Sequence, residues 1–94
     1  MLQVADMEIQ LKLYGSSKIL SEEDTLNIQL PDNSNIKKLR DTLTKIISEK
    51  FAKSNLENLP KTAAFFSEKD EVIDDSYKLR NKEFISIIPP IGGG

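Results

Sequence analysis

The sequence predicts an α+β domain in which a mixed sheet of four to five strands carries one main helix on one face. Three observations predict it. Apolar and polar residues alternate over residues 7–13 and again over 26–30, the period-two signature of strands with one buried face. Over residues 36–51 the apolar positions recur at helical spacing instead. The last run, residues 83–88, is apolar on both faces, as suits a strand covered on two sides at the centre of a sheet.

Taken in order, residues 1–6 show no period and read as a loose N-terminus. Met7, Ile9, Leu11 and Leu13 then alternate with Glu8, Gln10 and Lys12 in a first strand, which places Tyr14 on the open face. Gly15-Ser16-Ser17 breaks that strand, and residues 18–24 form a polar connection containing Ile19 and Leu20. A second strand, with Leu26, Ile28 and Leu30 facing inward, pairs most simply with the first as a hairpin and ends at Pro31-Asp32.

Asn33-Ser34-Asn35 supplies N-cap side chains for the helix. Ile36, Leu39, Leu43, Ile46, Ile47 and Phe51 form its apolar stripe, and Lys37, Lys38, Arg40, Lys45 and Lys50 occupy its outer side. Asp41 and Glu49 interrupt those cations, so this side reads as a solvated face and not as a nucleic-acid surface. Residues 53–61 read as a connection, 62–66 as a third strand and 71–73 as a short fourth one. Tyr77-Lys78-Leu79 is expected to plug the sheet edge, and Arg80-Asn81-Lys82 turns into the last strand. The acids Glu68, Asp70, Glu71, Asp74 and Asp75 lack the glycine and terminal glutamate of the calcium loop, so they read as a solvated hairpin with no metal.

Composition narrows the chemistry. Ninety-four residues, 38% of them hydrophobic and 30% charged, suit one domain over 1–94 with a small core. A net charge of -2 gives no general drive toward nucleic acid. The absence of cysteine removes disulfides, thiolate metal sites and a persulfide of the chain's own, and the absence of histidine removes the usual general base. No apolar stretch approaches the roughly 20 residues of a membrane-spanning helix, and no basic-then-apolar leader opens the chain, so a cytosolic location is expected.

The remaining feature is the tail, residues 89–94. Pro89 and Pro90 fix φ and lack N–H groups, so the chain must leave the sheet extended. Ile91 follows, and then Gly92, Gly93 and Gly94, thin enough to thread a channel that a larger residue would block. Six extended residues reach roughly 20 Å. The candidate reactive group is the main-chain carboxylate of Gly94.

A β-type apolar run followed by Pro89-Pro90, an aliphatic residue and the terminal pair Gly93-Gly94 resembles the small, sulfur-carrying subunit of molybdopterin synthase, a ubiquitin-like β-grasp sulfur carrier. The element order, strand-strand-helix-strand-strand-strand, fits the β-grasp, with first and last strands parallel at the sheet centre. The resemblance implies that an adenylyltransferase related to the ubiquitin-activating enzymes adenylates Gly94 with ATP. The acyl adenylate becomes a thiocarboxylate, which enters the large catalytic subunit and gives sulfur to precursor Z (cyclic pyranopterin monophosphate), forming molybdopterin. It implies a heterotetramer of two small and two large subunits and no stably bound cofactor, the sulfur being carried covalently. The small subunit is then no enzyme by itself. The family often has Asp-Gly-Asp before the last strand, where this chain has Arg80-Asn81-Lys82. Gly92 occupies a position that varies in the family.

If Ile85 and Ile87 face the helix, then Phe84, Ser86 and Ile88 face the other way. Tyr14, Phe66, Val72, Phe84 and Ile88 are therefore the expected partner interface, with Ile88 at the tail's departure. Three further functions use the same features: a ubiquitin-like protein modifier, a sulfur carrier for thiamine or transfer-RNA thiolation, and a non-catalytic β-grasp binding module.

Overall fold

The computed structural model describes residues 6–50 and 58–89. A five-stranded sheet runs in the order β2-β1-β5-β3-β4, formed by β1 (Asp6–Leu13), β2 (Thr25–Pro31), β3 (Ala64–Phe66), β4 (Val72–Ile73) and β5 (Glu83–Ile88). β1 pairs antiparallel with β2 and parallel with β5, so the first and last strands lie side by side at the centre. The fifteen-residue helix α1 (Ile36–Lys50) packs across one face.

The alternation dictates which face that is. Leu13, Ile87, Phe65 and Ile73 are successive cross-strand partners from β1 to β4, and all four are buried. Ile9, Leu11, Ile28, Leu30 and Ile85 extend this layer, and Ile36, Leu39, Leu43 and Ile47 of α1 close over it. Ile46 is only half-buried, because four residues already fill the seam.

Several expectations change. Asp6 already belongs to β1, opposite Pro31, so the N-terminal segment taken as loose is paired one residue earlier. The break and polar connection after β1 contain a 3-10 helix, Gly15–Leu20, whose Leu20 reaches the core. The connection before the third strand ends in a short helix, α2 (Leu59–Thr62), with Pro60 in its first turn, where a missing N–H costs nothing. That helix takes Thr62 and delays β3 to Ala64. The stripe position Phe51 lies outside the described residues.

Segment 74–79, which contains the Tyr77-Lys78-Leu79 run, also serves the start of α1. The carbonyls of Tyr77 and Asp75 accept the N–H groups of Ile36 and Lys37, both at 3.1 Å. Asn35 accepts the next two, Lys38 on its Oδ1 at 3.0 Å and Leu39 on its carbonyl at 3.1 Å. Three donors that the helix N-terminus leaves without an intrahelical partner, on Ile36, Lys37 and Lys38, are thereby satisfied, and the Leu39–Asn35 bond opens the helical ladder. Leu79 is buried, and its N–H donates to the Ser34 carbonyl at 2.9 Å.

Arg40 also departs from the solvated helix face expected for it. Its side chain is 20% exposed and donates to Asp75 Oδ1 at 2.7 Å. Nη1 donates to the carbonyls of Pro60 and Ala63 at 2.8 and 2.9 Å, and the guanidinium lies 4.7 Å from the centre of the Phe65 ring. One charged group thus ties α1 to α2, to β3 and to the loop that caps α1.

Candidate functional site: the tail exit and the open sheet face

β5 delivers the chain to the tail exit. Ile87 pairs with Leu13, and Ile88 with Ala64, so β5 ends level with the end of β1. There the 3-10 helix begins. Its first residue, Gly15, has φ +56, in the left-handed region where glycine is favoured, and a Cβ placed on it would stand 3.7 Å from Pro89 Cγ. Ser17 holds this corner: its hydroxyl is buried, accepts the Tyr14 N–H at 2.9 Å and donates to the Tyr14 carbonyl at 2.6 Å. Of the six tail residues only Pro89, half-buried, is described; Pro90, Ile91, Gly92, Gly93 and Gly94 lie outside the described residues.

At the other end of β5, Glu83 is a buried carboxylate on the core side of the sheet. It accepts the Tyr77 hydroxyl and, at 2.8 Å, the Arg80 N–H. The hydrogen bond to Glu83, followed by burial, raises the Tyr77 pKa above the ordinary 10.0. The turn itself adopts its shape without glycine. Lys82 takes φ 69, its N–H donates to the Glu8 carbonyl at 2.7 Å, and Asn81 Oδ1 accepts the Glu8 N–H at 2.8 Å.

The open face is built by the same register. Thr25, Lys12, Ser86, Phe66 and Val72 are successive partners from β2 to β4 and form one row across the sheet. Phe84 lies one step to one side, and Ile88 with Ala64 one step to the other. Tyr14 is the residue after Leu13, level with Ile88. The five residues expected at an interface therefore fall on three neighbouring rows. Val72, Phe84 and Tyr14 are 70%, 48% and 37% exposed; Phe66 and Ile88 are half-buried.

Sequence reasoning passed over the polar partners of these residues. Lys12, Tyr14, Phe84 and Ser86 line a shallow depression of about 250 Å³, bounded by Glu68 and Asp70 of the β3–β4 turn. Alternation alone puts Lys12 on the outer face, but only the parallel β1–β5 pairing sets it beside Ser86. The acidic run separates by role: Glu68 and Asp70 rim the depression, Asp74 accepts the Ser76 hydroxyl, and Asp75 holds Arg40. Ile19, 58% exposed on the 3-10 helix, adds an apolar side chain to the element beside Pro89.

No protein-family model and no curated protein matches this chain. Solved structures do. Small archaeal modifier protein 1 of Haloferax volcanii matches 90% of this chain with 99% of its own, at TM-score 0.67 and 10% identity. Ubiquitin of Caldiarchaeum subterraneum matches 96% with 100% of its own, at TM-score 0.59 and 16% identity. The fold is a ubiquitin-like β-grasp. A β-grasp chain from the complex of subunits 1 and 2 of the molybdopterin-converting factor of Helicobacter pylori also matches, over 94% of this chain and 100% of its own, at TM-score 0.58 and 26% identity. The β-grasp neighbours thus include the same ubiquitin-like group that the tail residues resemble. Among the described residues, no helix is long and apolar enough to cross a membrane.

Proposed function

We propose that this β-grasp chain is a sulfur carrier of molybdenum cofactor synthesis, the small subunit of a molybdopterin synthase. The observation that carries the reading is the tail exit. The central strand β5 ends at Ile88, Pro89 leaves the sheet beside Gly15, and the next residues in sequence are Pro90-Ile91-Gly92-Gly93-Gly94. Similarity to a chain of the two-subunit molybdopterin-converting complex supports a large-subunit partner.

In this reading the Gly94 carboxylate attacks the α-phosphorus of ATP on the activating enzyme, and pyrophosphate leaves. Hydrosulfide-level sulfur then attacks the acyl carbon, the acyl–phosphate C–O bond breaks, AMP leaves, and the product is a thiocarboxylate. Inside the large subunit the thiocarboxylate sulfur attacks a carbon of the pterin precursor with loss of an oxygen substituent, and water cleaves the resulting thioester, leaving the sulfur on the precursor and restoring the Gly94 carboxylate. The chain's own residues bind and aim: the open face docks, Ile88 and Pro89 set the direction of departure, and the glycines enter the partner's channel. A cytosolic location and a heterotetramer of two small and two large subunits belong to the same proposal.

The test is the intact mass after incubation with a sulfur-carrier activating enzyme, ATP and a sulfur donor. Replacement of one oxygen by sulfur in the peptide ending at Gly94 is the expected result; an unchanged mass with several activating enzymes overturns the reading. The likeness to a small archaeal modifier protein favours one alternative, in which Gly94 is joined to a target lysine. Isopeptide-linked conjugates in extracts, absent for a chain lacking Gly94, would distinguish it.

A further inference from the structure

The depression on the open face is chemically polarised. Lys12 stands on one side, its Nζ 5.6 Å from the centre of the Tyr14 ring, which holds the ammonium at the rim. Glu68 and Asp70 stand on the other. Glu68 Oε1 is placed by the Phe84 N–H, which donates to it at 3.4 Å, and the exposed Phe84 ring lies between the two banks. Lys12 is on β1 and Glu68 lies two residues beyond Phe66 of β3, two strand spacings across and two residues along the sheet, or about 12 Å.

We propose that this depression is a docking groove for an extended segment of a partner protein that carries an acidic and a basic side chain on alternate residues. Alternate side chains of an extended segment point the same way about 7 Å apart, and the length of an arginine spans the remainder. The acidic side chain meets Lys12. An arginine meets Glu68 and Asp70, its flat guanidinium lying over Phe84, a contact open to arginine and much weaker for a neutral side chain. The order of the two charges along a segment therefore sets the direction in which it lies across the groove, and a segment carrying two like charges is disfavoured in either direction. The proposal extends the docking role given to this face above, but it does not depend on sulfur chemistry.

The experiment is a titration of the isotope-labelled full chain, followed by amide chemical shifts. The probe is a capped peptide of about five residues in which Asp and Arg are separated by one valine and flanked by valines, long enough to span the groove. The expected result is a saturable shift confined to Lys12, Ser67, Phe84, Ser86 and their neighbours. Lys12→Gln, or Glu68→Gln with Asp70→Asn, should each raise the apparent Kd about fivefold, the scale of one exposed ion pair. Asparagine is chosen because Asp70 has φ 61, which asparagine tolerates. A peptide with Asn and Gln in place of Asp and Arg should bind no tighter than the charge-neutralised variants. No saturable shift, shifts on another face, or variants that bind as the parent does would each overturn the proposal. Neither an activating enzyme nor a large subunit is present, so a negative titration leaves the Gly94 reading standing, and failed sulfur transfer leaves the groove standing.

Discussion

Gly15 and Pro89 meet where β5 runs out, one a residue without a side chain in the left-handed region and the other the first residue of the tail. The space above Gly15 is open enough for a methyl group, since a Cβ there would stand in ordinary contact with the Pro89 ring. Its φ of +56 is what demands glycine. Gly15→Ala should therefore destabilise by about 1 kcal/mol, lowering the melting temperature by about 4–8 °C. Gly15→Leu adds bulk against Pro89, and under the proposed carrier function it should lower the rate of Gly94 adenylation further than its melting temperature alone explains.

The turn before β5 offers the reverse case. Lys82 holds φ 69, and its ammonium makes only an exposed contact with Glu8, at 3.4 Å. Relief of left-handed strain outweighs both the lost ion pair and the greater freedom of glycine in the unfolded chain, so Lys82→Gly should stabilise by about 0.5 kcal/mol. A raised denaturant midpoint at unchanged m-value is the expected observation. A lowered midpoint would mean that the Lys82–Glu8 contact matters more than its exposure suggests.

Arg40 is the cross-link most sensitive to conservative exchange. Arg40→Lys keeps the charge but cannot reach Asp75 and the carbonyls of Pro60 and Ala63 together. Two carbonyls on the α2 side lose a charged donor, so a loss of about 2 kcal/mol is expected in equilibrium unfolding. Hydrogen exchange should quicken at Ala63, whose N–H donates to Leu59 in α2.

Tyr77 gives an alkaline limit to stability. Its pKa is raised in the fold, first by its hydrogen bond to Glu83, so the folded state holds the proton more tightly than the unfolded chain does. The stabilisation is complete below the unfolded value of 10.0 and is lost as pH rises through the folded one. Tyr77→Phe should lower stability at neutral pH and flatten its fall above pH 10.0. An equally steep alkaline fall in the variant would place its origin elsewhere.

Ile88 and Phe84 separate docking from folding. Both point away from the core layer, and Phe84 is 48% exposed, so Phe84→Asp should change stability little. Phe84→Asp and Ile88→Asp should each weaken binding to the proposed large subunit at least tenfold, by removing apolar area from the face that surrounds the tail exit. Calorimetric titration of the folded variants is the check; parent-like affinity in both would remove this face from the interface.

The sequence by itself determined the strands, the helix, the inward and outward side of each residue from 7 to 13 and from 84 to 88, and the chemical candidates in the tail. These are local properties, written in periods of two and of about 3.6 residues and in the fixed geometry of proline. Short elements escaped it. The 3-10 helix Gly15–Leu20 and α2 are too brief to show a period, and both lie in polar stretches that read equally well as loops. Tertiary structure alone decided what depends on distant partners. Arg40 became a half-buried tie because α2 and Asp75 came to it, and segment 74–79 became the cap of α1 because Leu79 found the core. Lys12 and Glu68 came to rim one depression because β1 and β3 both pair with β5. A one-dimensional pattern records which face a residue takes, but the neighbour it meets there is set by strand register, and register is fixed only when the core closes.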